Sequence, residues 1–300
     1  MKVCCVINDK SGSAVPTHQQ AIAELFAQQN VEVKFYKIAD YESVKDLVNN
    51  AMREGFDIVV AGGGDGTVNA VASALMEHPS TRLGVLPLGT LNHFARDIGI
   101  PMDLTEAVNI ICAGHSKAID LGAVNDCYFL NNSSVGLYPA IVKLRESLQH
   151  VGYGKWWAAL LSSLRMLRKF RRLDVEVQPS SGLFLRRKTP LLFVGNNAYE
   201  TNAAQLGKRL AVDQGRLWIN IPTSPTLMGF IIATGALLLG REKPANTIIF
   251  ETTSLKVSTR KRLLTVAADG EVLHLKSPLN YRILPKALNV IVPAGQAKTQ

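Results

Sequence analysis

Asp57-Ile58-Val59-Val60-Ala61 runs without a break into Gly62-Gly63-Gly64-Asp65-Gly66-Thr67. The first five residues are a short apolar run of the kind buried on both faces of a parallel sheet. A glycine-rich turn follows, and Thr67–Met76 then reads as a helix. Strand, glycine turn and helix N-terminus in that order make a phosphate cradle, because free amides and the positive end of the helix dipole point one way. Consecutive glycines are expected here to supply positive φ and close backbone approach.

Outward from this stretch the pattern repeats. Lys2–Asn8 reads as a strand and His18–Asn30 as a helix, with Ile22, Leu25 and Phe26 on one face. Val31–Ile38 is a strand, Ser43–Glu54 a helix ended by Gly55, and Arg82–Leu86 a further strand. Alternating strands and helices predict a doubly wound α/β domain over residues 1–120. Beyond it the runs Cys127–Asn131, Leu173–Gln178, Pro190–Asn196, Arg216–Pro222, Thr247–Ser258, Leu263–Ala267 and Asn280–Leu284 read as strands between turns. Residues 121–286 are therefore expected to form a β-rich sandwich, interrupted by a helix near Gly154–Arg172, with residues 287–300 returning to the first domain.

Composition narrows the function. The chain has 300 residues, 47% hydrophobic and 19% charged, which excludes a disordered chain. Its net charge is +9, which suits polyanionic partners without choosing among them. Cys4, Cys5, Cys112 and Cys127 form no CxxC pair, so zinc is not expected, and Cys4 and Cys5 read as buried thiols. MKVCCVINDK has too short an apolar core for a signal peptide, and the expectation is a cytoplasmic protein. The most apolar segment, Leu227–Gly240, is fourteen residues with three glycines and reads as a buried helix.

The cradle lacks the third glycine of GxGxxG and the Gly-Lys-Ser/Thr of a Walker A loop. An acid inside a phosphate loop repels phosphate unless a cation or a proton is involved, so Asp65 points to Mg²⁺ or to general-base work. A second motif follows the next strand, Pro87-Leu88-Gly89-Thr90-Leu91-Asn92-His93-Phe94-Ala95-Arg96. Gly89, Thr90 and Asn92 there are placed to meet a nucleotide at the carboxyl ends of the strands. The same residues alone read as a capped helix start. Asp269-Gly270-Glu271 follows the strand LLTVA and alone reads as a hairpin turn.

These motifs in this order resemble the diacylglycerol kinase catalytic-domain family, which is related to sphingosine and ceramide kinases. A weaker match is Asn8-Asp9-Lys10-Ser11-Gly12, where the family has an Asn-Pro-x-Ser-Gly loop. The resemblance implies ATP as donor, Mg²⁺, and transfer of the γ-phosphate to a hydroxyl of a membrane lipid such as diacylglycerol. It implies nucleotide contacts from Asn8, Ser11, Gly12, Gly62, Gly63, Gly64, Asp65, Gly66, Thr67, Asn69, Gly89, Thr90 and Asn92. Glu271 matches the family's proton acceptor, with Asp269 and Asp65 supporting it or binding metal. The family's metal loop corresponds to Asp213-Gln214-Gly215-Arg216-Leu217, which makes Asp213 the metal candidate although only Asp213 and Gly215 match. Ala70 stands where the family has Glu.

The excess charge is concentrated. Lys155–Arg172 places Trp157, Leu160, Leu161, Leu164 and Leu167 on one helical face and Arg165, Arg168, Lys169 and Arg172 on another. That is the pattern of an interfacial helix on an anionic leaflet, and equally of a core-facing helix with a basic back. Two further readings stand beside the lipid kinase: an NAD kinase-like enzyme, which shares a GGDGT loop, and a catalytically silent lipid- or nucleotide-binding regulator. No zinc finger or RNP motif supports nucleic acid, and a homodimer is left open.

Overall fold

The structure is a computed structural model that describes residues 1–8, 15–38, 43–136, 173–180, 182, 184–199, 209–223 and 247–296. Ser11, Gly12, the helix expected at Gly154–Arg172, the basic segment Lys155–Arg172 and the apolar Leu227–Gly240 lie outside the described residues. The chain divides into two compact units. One comprises Met1–Leu121, Val212–Gln214 and Leu284–Gln300, the other Gly122–Ala211 and Gly215–Ile283.

The first unit is the expected α/β domain. Its strands are β1 (Val3–Ile7), β2 (Val33–Lys37), β3 (Ile58–Gly63) and β4 (Arg82–Pro87). They lie in the order β2-β1-β3-β4, all parallel. β1 and β3 are buried along their whole length, which is why their sequences carry unbroken apolar runs rather than alternation. The helices are α1 (Val15–Gln28), α2 (Val44–Arg53), α3 (Asp65–Leu75), α4 (His93–Asp97) and α5 (Leu104–Ala113). In α2 the Ser43 hydroxyl accepts from the Asp46 amide, and Leu47, Val48 and Ala51 form the buried stripe that the spacing predicts. α5 ends on Gly114 at φ 71°, a left-handed cap that glycine adopts without a Cβ clash. Cys4 and Cys5 are buried, and desolvation pushes the Cys4 thiol up to about 12, so neither is a thiolate at neutral pH.

The second unit is the expected β-rich sandwich. Its strands are β6 (Cys127–Phe129), β7 (Asn132–Gly136), β8 (Leu173–Pro179), β9 (Leu185–Thr189), β10 (Leu191–Asn196), β11 (Leu217–Pro222), β12 (Thr247–Thr252), β13 (Ser254–Thr259), β14 (Leu263–Ala268) and β15 (Glu271–Lys276). β5 (Ser116–Val124) enters from the first unit, and the last strand, β16 (Leu279–Ile291), runs from the second unit into the first. One sheet has the order β12-β11-β10-β7-β14-β15. The other orders β13, β8 and β9 beside the first half of β16. Leu192, Val194, Ile219 and Val266 from one sheet and Val175, Val177, Leu255 and Val257 from the other fill a single apolar core.

Two expectations need correction. Thr247–Ser258 is not one strand: the chain changes sheet at Thr253, where the Thr252 hydroxyl donates to the Ser254 carbonyl at 2.8 Å. β5 and the far half of β16 are strands where no strand is expected, because each carries polar residues whose partners are remote. Asp120, fully buried in β5, donates its amide to the Val212 carbonyl at 2.8 Å. Its carboxylate accepts the Lys286 amide, also at 2.8 Å, where β16 kinks at φ 51°. Asp120→Ala strips that acceptor from a part-buried amide and is expected to lower unfolding free energy by about 1–2 kcal/mol in urea, with Asp120→Asn costing less.

Candidate active site

Parallel register decides where the first-unit motifs meet. Ile7 pairs with Gly62 and Gly63 pairs with Pro87, so Asn8, Gly64 and Leu88 leave three adjacent strands at the same end. The Asn8 amide donates to the Gly62 carbonyl at 3.2 Å, and its side chain donates to Thr67 Oγ1 at 3.4 Å. The Leu88 amide donates to the Gly63 carbonyl at 3.1 Å. Asn8, the glycine run and the start of the second motif thus converge at the carboxyl edge of the sheet, where open α/β sheets bind ligands.

The glycines work differently from the expectation. Gly62 and Gly63 belong to β3, so the turn itself is Gly64, at φ −88° and ψ −175°. None of the run has positive φ. Space is what requires glycine. A Cβ on Gly63 would stand 2.5 Å from Thr67 Oγ1, and a Cβ on Gly89 would collide with the Gly64 backbone. The first amides of α3, those of Asp65, Gly66 and Thr67, have no carbonyl within the helix to bond, and they open beside that bare backbone. Thr67 and Asn69 are buried on the first turns, Thr90 is exposed and Asn92 is buried. Free amides of this kind at a helix N-terminus beside a glycine turn can hold phosphate oxygens.

Asp65 is tied to the segment that follows the next strand. Its two carboxylate oxygens accept the His93 amide at 3.2 Å and the Phe94 amide at 3.0 Å. It therefore caps α4, a helix reached only through the next strand, and the two amide dipoles offset its charge near the cradle. Asn92 at φ 49° gives α4 no cap of its own. Its side chain instead braces the loop, accepting the Gly89 amide at 3.0 Å and donating to the Gly89 and Pro87 carbonyls at 2.8 and 3.2 Å. With those groups engaged, Asn92 shapes the loop from within.

The metal candidates fare similarly. Asp213, in the first unit, pairs with the Lys117 ammonium at 2.9 Å, both side chains mostly buried. A cation already fills that place, which does not fit a separate Mg²⁺ there. Among the described residues no group of three or more His, Cys, Asp or Glu could enclose a metal ion.

In the second unit Asp269 and Gly270 are the turn of the β14–β15 hairpin, at φ 47° and 86°. The Asp269 carboxylate accepts three consecutive amides, from Leu130 at 2.6 Å, Asn131 at 2.8 Å and Asn132 at 3.0 Å. Loss of solvent pushes its pKa up to about 6, opposed by those amides and by the Arg209 charge. Arg209, almost fully buried, donates to the Leu130 carbonyl at 2.6 Å. Asn196 Nδ2 donates to the same carbonyl at 2.8 Å, and the Tyr199 hydroxyl donates to the Asn131 carbonyl at 2.8 Å. The hairpin turn is thereby locked to residues 130–132, a network absent from the sequence reading. Glu271, exposed, opens β15 immediately after it.

Comparison with known proteins accords with the motifs. Residues 2–124 match the family model described as the diacylglycerol kinase catalytic domain. A Klebsiella pneumoniae protein named probable lipid kinase YegS-like is 28% identical over 96% of this chain and 95% of its own length. A Staphylococcus aureus diacylglycerol kinase is 28% identical over 81% of this chain and 76% of its own. A crystal structure of a putative diacylglycerol kinase from Bacillus anthracis superposes with a TM-score of 0.74 at 23% identity, covering 98% of each chain. The resemblance drawn from GGGDGT and PLGTLNHFAR therefore holds, and the solved structure shares the fold.

Two measurements probe these geometries. Gly89→Ala forces the second loop off the Gly64 backbone, and nucleotide affinity by calorimetry is expected to fall at least tenfold, with a loss of about 1–3 kcal/mol in stability. Asp269 has a folded pKa above its unfolded value of 3.8. Its contribution therefore favours folding below about pH 4 and is lost as pH rises through about 6. The stability difference between wild type and Asp269→Asn should change across that window and be flat above pH 7.

Proposed function

We propose that this chain, whose residues 2–124 match the diacylglycerol kinase catalytic domain, is a lipid kinase that uses ATP and acts on a membrane lipid hydroxyl such as that of diacylglycerol. The observation that carries the reading is the convergence of Asn8, the Gly62–Thr67 run and the Gly89–Asn92 loop on one backbone cradle at the N-terminus of α3. A cradle of amides with no Lys or Arg in the glycine run suits a donor that arrives as the Mg²⁺ complex of ATP, with the metal held by the phosphates.

In this reading the first unit binds and orients the nucleotide, and the second carries the lipid site. Gly64, Gly66, Thr67 and Asn69 hold phosphates, and Thr90 lies beside them. Asp65 and Asn92 position the cradle: one fixes α4 and the other fixes the Gly89 turn. Phosphoryl transfer needs little covalent chemistry from the protein and much alignment, so rigid loops suit it. Glu271 accepts the proton of the lipid hydroxyl, and Asp269, committed to residues 130–132, holds the turn that presents it. Contact with the bilayer includes the basic, Trp-bearing segment 155–172.

Incubation with γ-labelled ATP, Mg²⁺ and separate vesicle and NAD acceptors tests this. Label is expected in a lipid carrying a free hydroxyl, and label in NAD alone would overturn the reading. Glu271→Gln is expected to lower kcat by about 10²–10⁴-fold with an unchanged melting temperature. Full activity in that variant would remove Glu271 from the role.

A further inference from the structure

The loop at residues 213–217, which the sequence sets against a metal loop, is held in shape by the chain's own groups. Val212–Gln214 is a short return to the first unit between stretches that belong to the second. Two groups on β5 fasten it. The Asp120 amide donates to the Val212 carbonyl at 2.8 Å, and the Lys117 ammonium stands 2.9 Å from Asp213 Oδ2. Asp120 is in turn fixed by the Lys286 amide at 2.8 Å. Beyond Asp213 the chain turns at Gly215, whose φ of 68° suits glycine, and the Arg216 carbonyl accepts the Asn197 amide at 2.9 Å. The Arg216 guanidinium lies 3.9 Å from Glu251.

Charge is the remaining requirement. Side-chain exposure is 16% for Lys117 and 17% for Asp213, so both have lost most of their water. A carboxylate so placed needs a compensating charge close by. A divalent ion or a cationic side chain can supply it, and the two ask for different surroundings. Mg²⁺ takes about six oxygen ligands in a near-octahedral shell, several of them waters. An ammonium needs only acceptors at hydrogen-bond distance, and one carboxylate offers two oxygens. Among the described residues no cluster of three or more His, Cys, Asp or Glu surrounds Asp213. A divalent ion on Asp213 would also stand beside the Lys117 ammonium, and like charges at that range repel.

We propose that Lys117 is a built-in replacement for a metal in the Asp213 loop, so the fold of this chain needs no divalent cation of its own. Its single charge matches the single carboxylate, and a chelator cannot remove it. The ammonium pins Val212–Gln214 to β5 next to the Asp120 bond, which makes Lys117 a positioning residue. A consequence for the reaction rests on the lipid-kinase reading: the Mg²⁺ that arrives with the nucleotide is then the only one required. The assignment of Lys117 itself does not rest on that reading.

Thermal unfolding of the full chain without nucleotide, in excess EDTA and in millimolar Mg²⁺, tests the proposal. Wild type is expected to melt at the same temperature in both. Lys117→Ala leaves the Asp213 charge alone and should melt roughly 5 °C lower in EDTA. The Asp120 bond still holds the loop in that variant, so Mg²⁺ can enter the vacated place and should recover at least half of the loss. With Asp213→Asn added to Lys117→Ala, the response to Mg²⁺ should vanish. Lys117→Arg keeps the charge and should stay indifferent to Mg²⁺. Three results would overturn the proposal. One is a wild-type melting temperature that Mg²⁺ raises and that Asp213→Asn makes insensitive, a comparison that holds even if Lys117→Ala does not fold. The others are a Lys117→Ala variant that melts as wild type does in EDTA, and one whose loss Mg²⁺ leaves untouched. Lipid phosphorylation should show no second activation as Mg²⁺ is raised past the amount that saturates ATP. The expected melting pattern with no lipid phosphorylated at any Mg²⁺ concentration sinks the kinase reading and supports the role of Lys117.

Discussion

The approach of two backbones, Gly64 to Gly89, is the constraint on which the first unit's site depends. Parallel strands lie about 4.8 Å apart, so loops leaving neighbouring strands ordinarily splay until their side chains clear. Here neither residue has a side chain, and the two turns close on each other. Leu88 and Gly63 are hydrogen-bonded across the same seam. The amides at the start of α3 consequently open into a space bounded by main chain on both sides. A ligand there meets fixed dipoles rather than mobile side chains, which is the condition under which oriented donors stabilise charge without reorganising.

The acids of the two units share one logic. Asp65 and Asp269 both sit inside motifs that suggest chemistry, and both spend their oxygens on backbone amides of another segment. Hydrogen bonds to a charged group contribute about 1.5–3 kcal/mol each, so such a carboxylate is a strong joint between segments remote in sequence. Asp120 does the same at the kink of β16. Asp65, Asp120 and Asp269 hold segments in place, and the exposed Glu271 follows directly on one of those joints.

The α/β frame was legible because its signals are local. Val3–Ile7 and Ile58–Gly63 are apolar without interruption, Ile22 and Phe26 share a buried helix face, and Ser43 caps its own helix. The sandwich strands were legible from β-branched runs between turns. β5 was not, because Lys117 and Asp120 make it look like a loop until their partners Asp213 and Lys286 are known. The division at Thr253 depends on a hydroxyl bond that strand propensity does not encode. At the site, the motif positions could be read directly. The duties of Asp65 and Asn92 could not, since one acts on residues 28 positions away and the other turns inward on its own loop. The tether of Asp269, reaching 137 to 139 positions back, is invisible to any local rule.

The path of β16 bears on how the chain is made. β4, whose end supports the cradle, has its second neighbour only in Asn289 and Val290, near the C-terminus. During synthesis the first unit therefore emerges with one side of β4 unpaired, and it stays so until nearly the entire second unit has been translated. An open parallel edge is a template for wrong pairings. The strand that closes the first unit's sheet is thus made long after the strand it pairs with, and loss of Asn289 and Val290 would damage a site encoded about two hundred residues earlier.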